Sequence, residues 1–314
     1  GGGFLITGGL LVFGVPPIFA VGTGLTLIMG SSIINTLKHR HLGNVDFKLG
    51  IFMVSGTIPA LYAAERLNTA LEAAGLAGPV IRTTYVVFLA ALGIFIVYDY
   101  WRTRGKAAAG GDDISTASLA RRVRGFRIPP HSLIIPGRGR VSTYISFPVS
   151  GIESMSMFIP FAVGLLVGFL AGLLGAGGGF ILMPILIFGL GIPTTVAIGT
   201  DLFQIIVTGS VGTFLYSLSN HVDPLMVIIM LCAASAGSQL GATATKFVDA
   251  GRIRVLFGVT ILSGSVSMAL KQLAEGNADL AYLSTAASFL LLSVAGAICL
   301  VIAGLLINAK LKKQ

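Results

Sequence analysis

The residues best placed to do chemistry are glycines in two matched settings. Gly1-Gly2-Gly3-Phe4 and Gly177-Gly178-Gly179-Phe180 each open a short apolar run, about 4–14 and 180–190. Gly14-Val15-Pro16-Pro17 and Gly191-Ile192-Pro193 each open a longer run that carries a Gly-Thr pair, Gly22-Thr23 and Gly199-Thr200. A helix N-terminus has partial positive charge and free N–H donors, which suits an anion. Glycine lets a ligand approach the backbone closely. Proline fits a helix start, where its fixed φ is right and its missing donor is not needed. The threonines can add hydroxyl donors. Gly2, Gly3, Gly22, Thr23, Gly178, Gly179, Gly199 and Thr200 are therefore candidate contacts for an anion. The competing reading is that they only let helices approach, as Gly164, Gly168 and Gly172 at four-residue spacing do.

Asp201 follows the second Gly-Thr pair, where the first half has Gly24. An acid within an apolar helix is a functional candidate. It could carry a proton, orient nearby N–H groups or cap a helix. Gln204, one turn on, could face the same cavity or hold two helices together. Gln239, Thr243, Ser31 and Asn35 are weaker candidates of the same kind. No Lys or Arg lies in the middle of an apolar run. Arg82, Arg254 and Lys271 lie near run ends and are expected to snorkel. An anion would then be held by neutral donors and dipoles. All four histidines are expected in loops. No Cys/His cluster has metal-ligand spacing, and no metal or other cofactor is expected. Cys232 and Cys299 sit in apolar runs and read as buried thiols rather than a disulfide.

Such residues must be held by elements in lipid. The chain has 314 residues, of which 54% are hydrophobic, with mean hydropathy +0.91. Only 11% are charged, against about 25% in an ordinary soluble domain. That excludes a disordered protein, a collagen and an ordinary soluble enzyme. Runs of about 20 apolar residues can cross a bilayer as helices. They lie at about 17–37, 46–67, 80–101, 155–175, 194–218, 223–247, 252–271 and 283–308. The two short runs after the triplets are too short to cross.

The halves repeat. Beyond the triplets, one inserted residue brings Gly14 to Leu25 into register with Gly191 to Leu202, and the same offset pairs Asp46 with Asp223. The second triplet follows an apolar run at 155–175 and the first follows none, so a further N-terminal membrane helix is expected in the native protein. The expected division is a first membrane repeat over 1–100, an insert over 101–153, a second repeat over 154–272, and an added helix with a basic tail over 273–314.

Charge sets the expected topology. The net charge is +9, and the 101–153 insert holds nine Lys/Arg against three acids. The positive-inside rule places it and the C-terminal tail in the cytoplasm. Walking outward from these anchors, 17–37 runs inward and 194–218 outward, so the repeats are inverted. Inverted repeats with interrupted helices recur in secondary transporters. The expected fold class is thus an all-α polytopic membrane protein. Within the insert, 110–118 reads as a flexible linker. Arg121-Arg122-Val123-Arg124 reads as a solvated or headgroup-facing run rather than a ligand site. Ser132–Ile135 and Val141–Phe147 read as strands of a β-hairpin around Pro136-Gly137-Arg138-Gly139.

The sequence resembles the TauE/SafE sulfite-exporter family, also called TSUP. The residues that carry the likeness are Gly172-Leu173-Leu174-Gly175-Ala176-Gly177-Gly178-Gly179-Phe180, Gly191-Ile192-Pro193, Ala197-Ile198-Gly199-Thr200 and Gly237-Ser238-Gln239-Leu240-Gly241-Ala242. Tyr144-Ile145-Ser146-Phe147-Pro148 leading to Ser150-Gly151 is similar to members with a long central insert. Pro59-Ala60-Leu61-Tyr62-Ala63-Ala64 departs from the pattern, lacking the expected glycines, so the second half is expected to hold more of the substrate contacts. The resemblance implies a transporter of sulfite, sulfoacetate or related organosulfonates in the cytoplasmic membrane. The expected partners are a small anionic substrate and the lipid bilayer, with no nucleic acid; a homodimer is left open. A passive anion channel of the same build is the alternative. An intramembrane enzyme would need a nucleophile with a base or a metal site, and no H-E-x-x-H pattern or intramembrane histidine supplies one.

Overall fold

A computed structural model describes residues 3–40, 45–107, 132–135, 139–244, 250–276 and 280–311. Ten α-helices and four short strands are assigned among them. The helices are α1 (Gly3–Val12), α2 (Pro17–Arg40), α3 (Phe47–Ala73), α4 (Ala77–Ala107), α5 (Phe158–Leu174), α6 (Gly179–Pro184), α7 (Thr194–Leu218), α8 (Pro224–Ala244), α9 (Ala250–Gly276) and α10 (Tyr282–Leu311). The strands are β1 (Ser132–Ile135), β2 (Gly139–Ser142), β3 (Tyr144–Phe147) and β4 (Ile152–Ser156).

Every long apolar run is a helix. Among the described residues, five segments are long and apolar enough to cross a membrane: Phe47–Ala73, Ala77–Tyr98, Thr194–Leu218, Leu256–Gly276 and Tyr282–Val301. Large side chains on them face outward, Phe289 and Leu300 among them. Such exposure costs little where the solvent is hydrocarbon. The protein is a multi-pass, almost wholly helical membrane protein.

Several boundaries differ from the sequence expectation. Helix α2 continues to Arg40 and takes His39 out of the loop. Helix α3 continues to Ala73 through Leu67–Ala73, which has no Gly or Pro to break it and four good helix formers in Ala70–Ala73. The expected strand 141–147 is two strands that part at Thr143. β1 pairs with β2, which makes the expected hairpin, and β3 pairs with β4 in a second antiparallel pair. β4 takes residues assigned to the start of the 155–175 helix, which begins only at Phe158. The second hairpin is not merely a soluble appendage. Phe147, Ile152 and Met155 are buried with Leu49 and Met53 of α3 and with Leu186 and Leu190. The basic run 121–124 and the linker 110–118 lie outside the described residues.

The two short apolar segments, which the expected repeat pairs with one residue inserted in the second, differ in form. Helix α1 is regular over its ten residues. Helix α6 is followed by a π-turn over Ile185–Gly189. A π-turn is how a helix absorbs one extra residue. Both segments then end at a left-handed glycine, Gly14 at φ +88° and Gly191 at φ +63°.

The chain divides into two compact units. The first comprises residues 1–4, 21–69 and 112–227; the second comprises 5–20, 70–111 and 228–314. In the first, α5 crosses α3 at close range through glycines. A Cβ on Gly168 would stand 2.7 Å from Thr57 Cα, and one on Gly172 would stand 2.6 Å from Ala64 Cβ. Gly56 and Gly164 meet partner backbone in the same seam. These glycines are the helix spacers expected of four-residue spacing. In the second unit, α4 packs along α9, with Gly93 against Leu262 and Ser265 Oγ donating to Val86 O at 3.0 Å.

Candidate functional site

The site is built in the first unit at the break between α5 and α6. Helix α5 stops at Gly175, at φ +69°, whose N–H donates to Ala171 O at 2.8 Å. Gly177 (φ +70°) and Gly178 (φ +78°) follow, also left-handed. That conformation costs an L-residue with a Cβ about 1–2 kcal/mol, which explains the run of glycines. The last carbonyls of α5 cannot reach water inside a membrane, and side chains satisfy them. Asn68 Nδ2 donates to Leu173 O at 3.2 Å and to Tyr216 Oη at 2.7 Å, and Tyr216 Oη donates to Gly172 O at 3.0 Å.

The start of α1 reaches this break. Gly3 opens α1 beside Ile28, and a Cβ on it would stand 3.1 Å from Ala176 O. Gly177 lies between Ile28 and Ile205, whose Cγ2 atoms would be 2.8 and 3.6 Å from its added Cβ. Gly179 opens α6 against Ile205 and Asp201. A Cβ there would stand 2.8 Å from Asp201 Oδ2 and 3.0 Å from Oδ1. Gly2 lies outside the described residues.

Asp201, Gln204 and Thr208 share one face of α7, as their three- and four-residue spacing requires. All three are buried. Gln204 Nε2 donates to the Thr57 hydroxyl of α3, and Thr208 Oγ1 donates to Gln204 O at 2.8 Å. Thr57 Oγ1 in turn lies 3.1 Å from both Met53 O and Gly164 O. Gln204 is thus a link between helices. Yet Asp201 Oδ1 and Gln204 Oε1 have no hydrogen-bond partner among the described residues. Of these two buried acceptors, Asp201 lies against the glycine break at Gly179.

The Gly-Thr pairs stand in a different setting. Thr200 Oγ1 accepts from Asp46 N at 3.0 Å, and Thr23 Oγ1 accepts from Asp223 N at 3.1 Å. Gly22 lets the 216–221 turn approach: its added Cβ would collide with His221 O and lie 3.0 Å from Tyr216 Cβ. Gly199 is buried within α7. The structure thus brings Gly3, Gly178, Gly179 and Asp201 to the break, and puts Gln204 one turn along α7 on the Thr57 hydroxyl of α3. It ties Thr23 and Thr200 to the starts of α8 and α3.

Sequence reasoning paired Asp46 with Asp223 in the repeat but gave it no role. It caps α3, with Oδ1 accepting from Leu49 N at 3.0 Å and Oδ2 accepting from Ser150 Oγ at 2.6 Å. An Asp just before an apolar run is the signal that could have found it. Thr57 and Asn68 were also missed, although both are polar residues in an apolar helix, the criterion that singled out Gln204. Among the weaker candidates, Ser31 donates to Ile28 O in its own helix, while the side chains of Asn35, Gln239 and Thr243 lie outside the described residues.

Two expectations are corrected. Arg82 and Lys271 do not snorkel. Their side chains are 9% and 13% exposed and share Glu275 as counter-ion. A shared carboxylate, on the neighbouring helix for Arg82 and one turn on in the same helix for Lys271, removes the need to reach water. The Arg254 side chain lies outside the described residues. Cys232 and Cys299 are free but exposed rather than buried, because their helix faces have no protein neighbour. Among the described residues no three His, Cys, Asp or Glu side chains are grouped to hold a metal ion.

The comparisons with known proteins agree with this architecture. The family model for the sulfite exporter TauE/SafE matches residues 1–268 and again 159–307. The chain is 24% identical over 263 residues to the probable membrane transporter protein YunE of Bacillus subtilis, covering 82% of this chain and 83% of that one. It is 30% identical over 113 residues to the probable membrane transporter protein MJ0441 of Methanocaldococcus jannaschii, covering 34% of this chain and 42% of that one. A probable membrane transporter protein of Xylella fastidiosa is 30% identical over 105 residues, covering 33% of this chain and 40% of that one. No solved structure gives a significant match. With two short apolar helices, a glycine break before α6, several long membrane helices, and a family match over most of its length, the chain belongs to the TauE/SafE sulfite exporter family of membrane transporters.

Proposed function

We propose that the protein is a proton-coupled secondary transporter that exports small sulfur-containing anions, such as sulfite, sulfoacetate or related organosulfonates, across the cytoplasmic membrane. The insert and C-terminal tail lie in the cytoplasm in this reading, and the two halves are inverted repeats that share one anion site. The family name supports the substrate class. The reciprocal threonine links, at residues spaced alike in both halves, support the repeat.

One observation carries the coupling. The buried Asp201 carboxylate lies against Gly179 at the start of α6, with Oδ1 unpartnered among the described residues. It occupies the place an anion would take. Two unit charges about 4 Å apart repel by about 4 kcal/mol at an effective dielectric near 20, roughly a thousandfold in affinity. An anion therefore enters when Asp201 takes up a proton. The carboxyl O–H then becomes a donor to the anion, and the Gly177–Gly179 backbone carries no Cβ of its own to hold it off. Gln204, one turn further along α7, ties that helix to α3.

Reconstitution in liposomes tests the reading. A pH gradient should drive uptake of radiolabelled sulfite or a C2 sulfonate, and unlabelled anion on the far side should accelerate exchange. Flux that follows only the electrochemical gradient of the anion, with neither response, would show a passive channel instead.

A further inference from the structure

The second unit holds a charged cluster unrelated to the glycine break. Arg82, near the start of α4, is ion-paired through Nη1 with Glu275 Oε2 near the end of α9. Lys271, one turn earlier on α9, lies 3.9 Å from Glu275 Oε1 and donates to Ser284 Oγ of α10 at 2.7 Å. Its Nζ also lies near the left-handed turn at Gly14. Among these described side chains two cations share one carboxylate. The Arg82 side chain is 9% exposed, and its Nε has no hydrogen-bond partner among the described residues. Glu275 is 43% exposed, so the cluster opens outward on that side.

A buried guanidinium N–H without an acceptor is costly, and two cations to one carboxylate among the described side chains raise the demand for negative charge. A guanidinium edge matches two oxygens of one oxyanion, and Lys adds a point charge. We propose that Arg82 and Lys271 form a second anion site, for a small oxyanion of sulfur such as sulfite or sulfate, at the end of the second unit where α4 begins and α9 ends. The expected topology puts that end on the outer side, where an anion waits before entry or after release. The site uses ion pairing and is separate from the break at Gly179.

Titration calorimetry of the purified full chain with sodium sulfite, at constant ionic strength, tests this. Two binding events are expected. Gly179→Val should remove one and keep the other. Lys271→Gln should weaken the remaining event about tenfold or more, the scale of one lost charge-assisted hydrogen bond. Arg82→Gln should abolish it; because that change strands Glu275, the pair R82Q/E275Q is the folded control and should also abolish it. A single event in the wild type that Gly179→Val removes overturns the second site and leaves the proposed function standing. A single event lost in Lys271→Gln but kept in Gly179→Val supports the second site and counts against the glycine break as the transport site. Two events unchanged in Lys271→Gln and in R82Q/E275Q overturn the proposal.

Discussion

The backbone N–H of Asp46 donates to the hydroxyl of Thr200 across 3.0 Å. Its counterpart, at residues spaced alike in the other half, is the Asp223 N–H donating to Thr23 across 3.1 Å. Each Asp then caps its own helix, Asp46 at Leu49 N and Asp223 at Met226 N, both at 3.0 Å. A threonine of one half thus holds the helix start of the other, in both directions.

Thr200→Val should leave the Asp46 N–H buried without an acceptor. The expected loss is about 1–3 kcal/mol of stability. Thr200→Ser keeps the oxygen and should unfold near the wild-type temperature. Thermal unfolding in detergent reads both. Equal behaviour of Val and Ser would show that the bond contributes nothing.

Gly168→Ala should destabilise the α3–α5 seam, because the new methyl would stand 2.7 Å from the Thr57 Cα. Overpacking of this kind costs about 1–3 kcal/mol. Gly276→Ala, with open space around it, is the control and should be near neutral. The same unfolding measurement compares them.

Asn68→Leu should strand the carbonyl of Leu173, which accepts from Asn68 Nδ2 at 3.2 Å. Tyr216→Phe removes the donor to Gly172 O. Each should cost about 1–3 kcal/mol. Their double variant should cost less than the sum, because Asn68 and Tyr216 also bond each other. A strictly additive cycle would contradict a shared network.

The membrane helices were legible because a run of about 20 apolar residues has few other fates. The half-length helices were legible because a glycine triplet precedes each. Strand β4 was not, because Met155 and Ser156 read as the start of the following apolar run, and the three residues before them fell across the end of the insert. The break site was only partly legible. Asp201 and Gln204 stood out as polar residues in lipid, but helices that are apolar all round do not reveal which face is buried. Thr23 and Thr200 were seen, yet their partners lie 200 and 154 residues away in sequence. Arg82 was misread for the same reason, since Glu275 lies 193 residues on.

Proton uptake on anion binding tests the central claim most directly. A C2 sulfonate is the suitable probe, because its sulfonate group does not titrate near neutrality. Added to the purified protein in weakly buffered detergent solution, it should draw protons from solution as it binds, in step with occupancy. Asp201→Asn should bind the sulfonate without that uptake and lose transport driven by a pH gradient. Binding with no proton uptake in the wild type, or uptake undiminished in Asp201→Asn, would contradict the account.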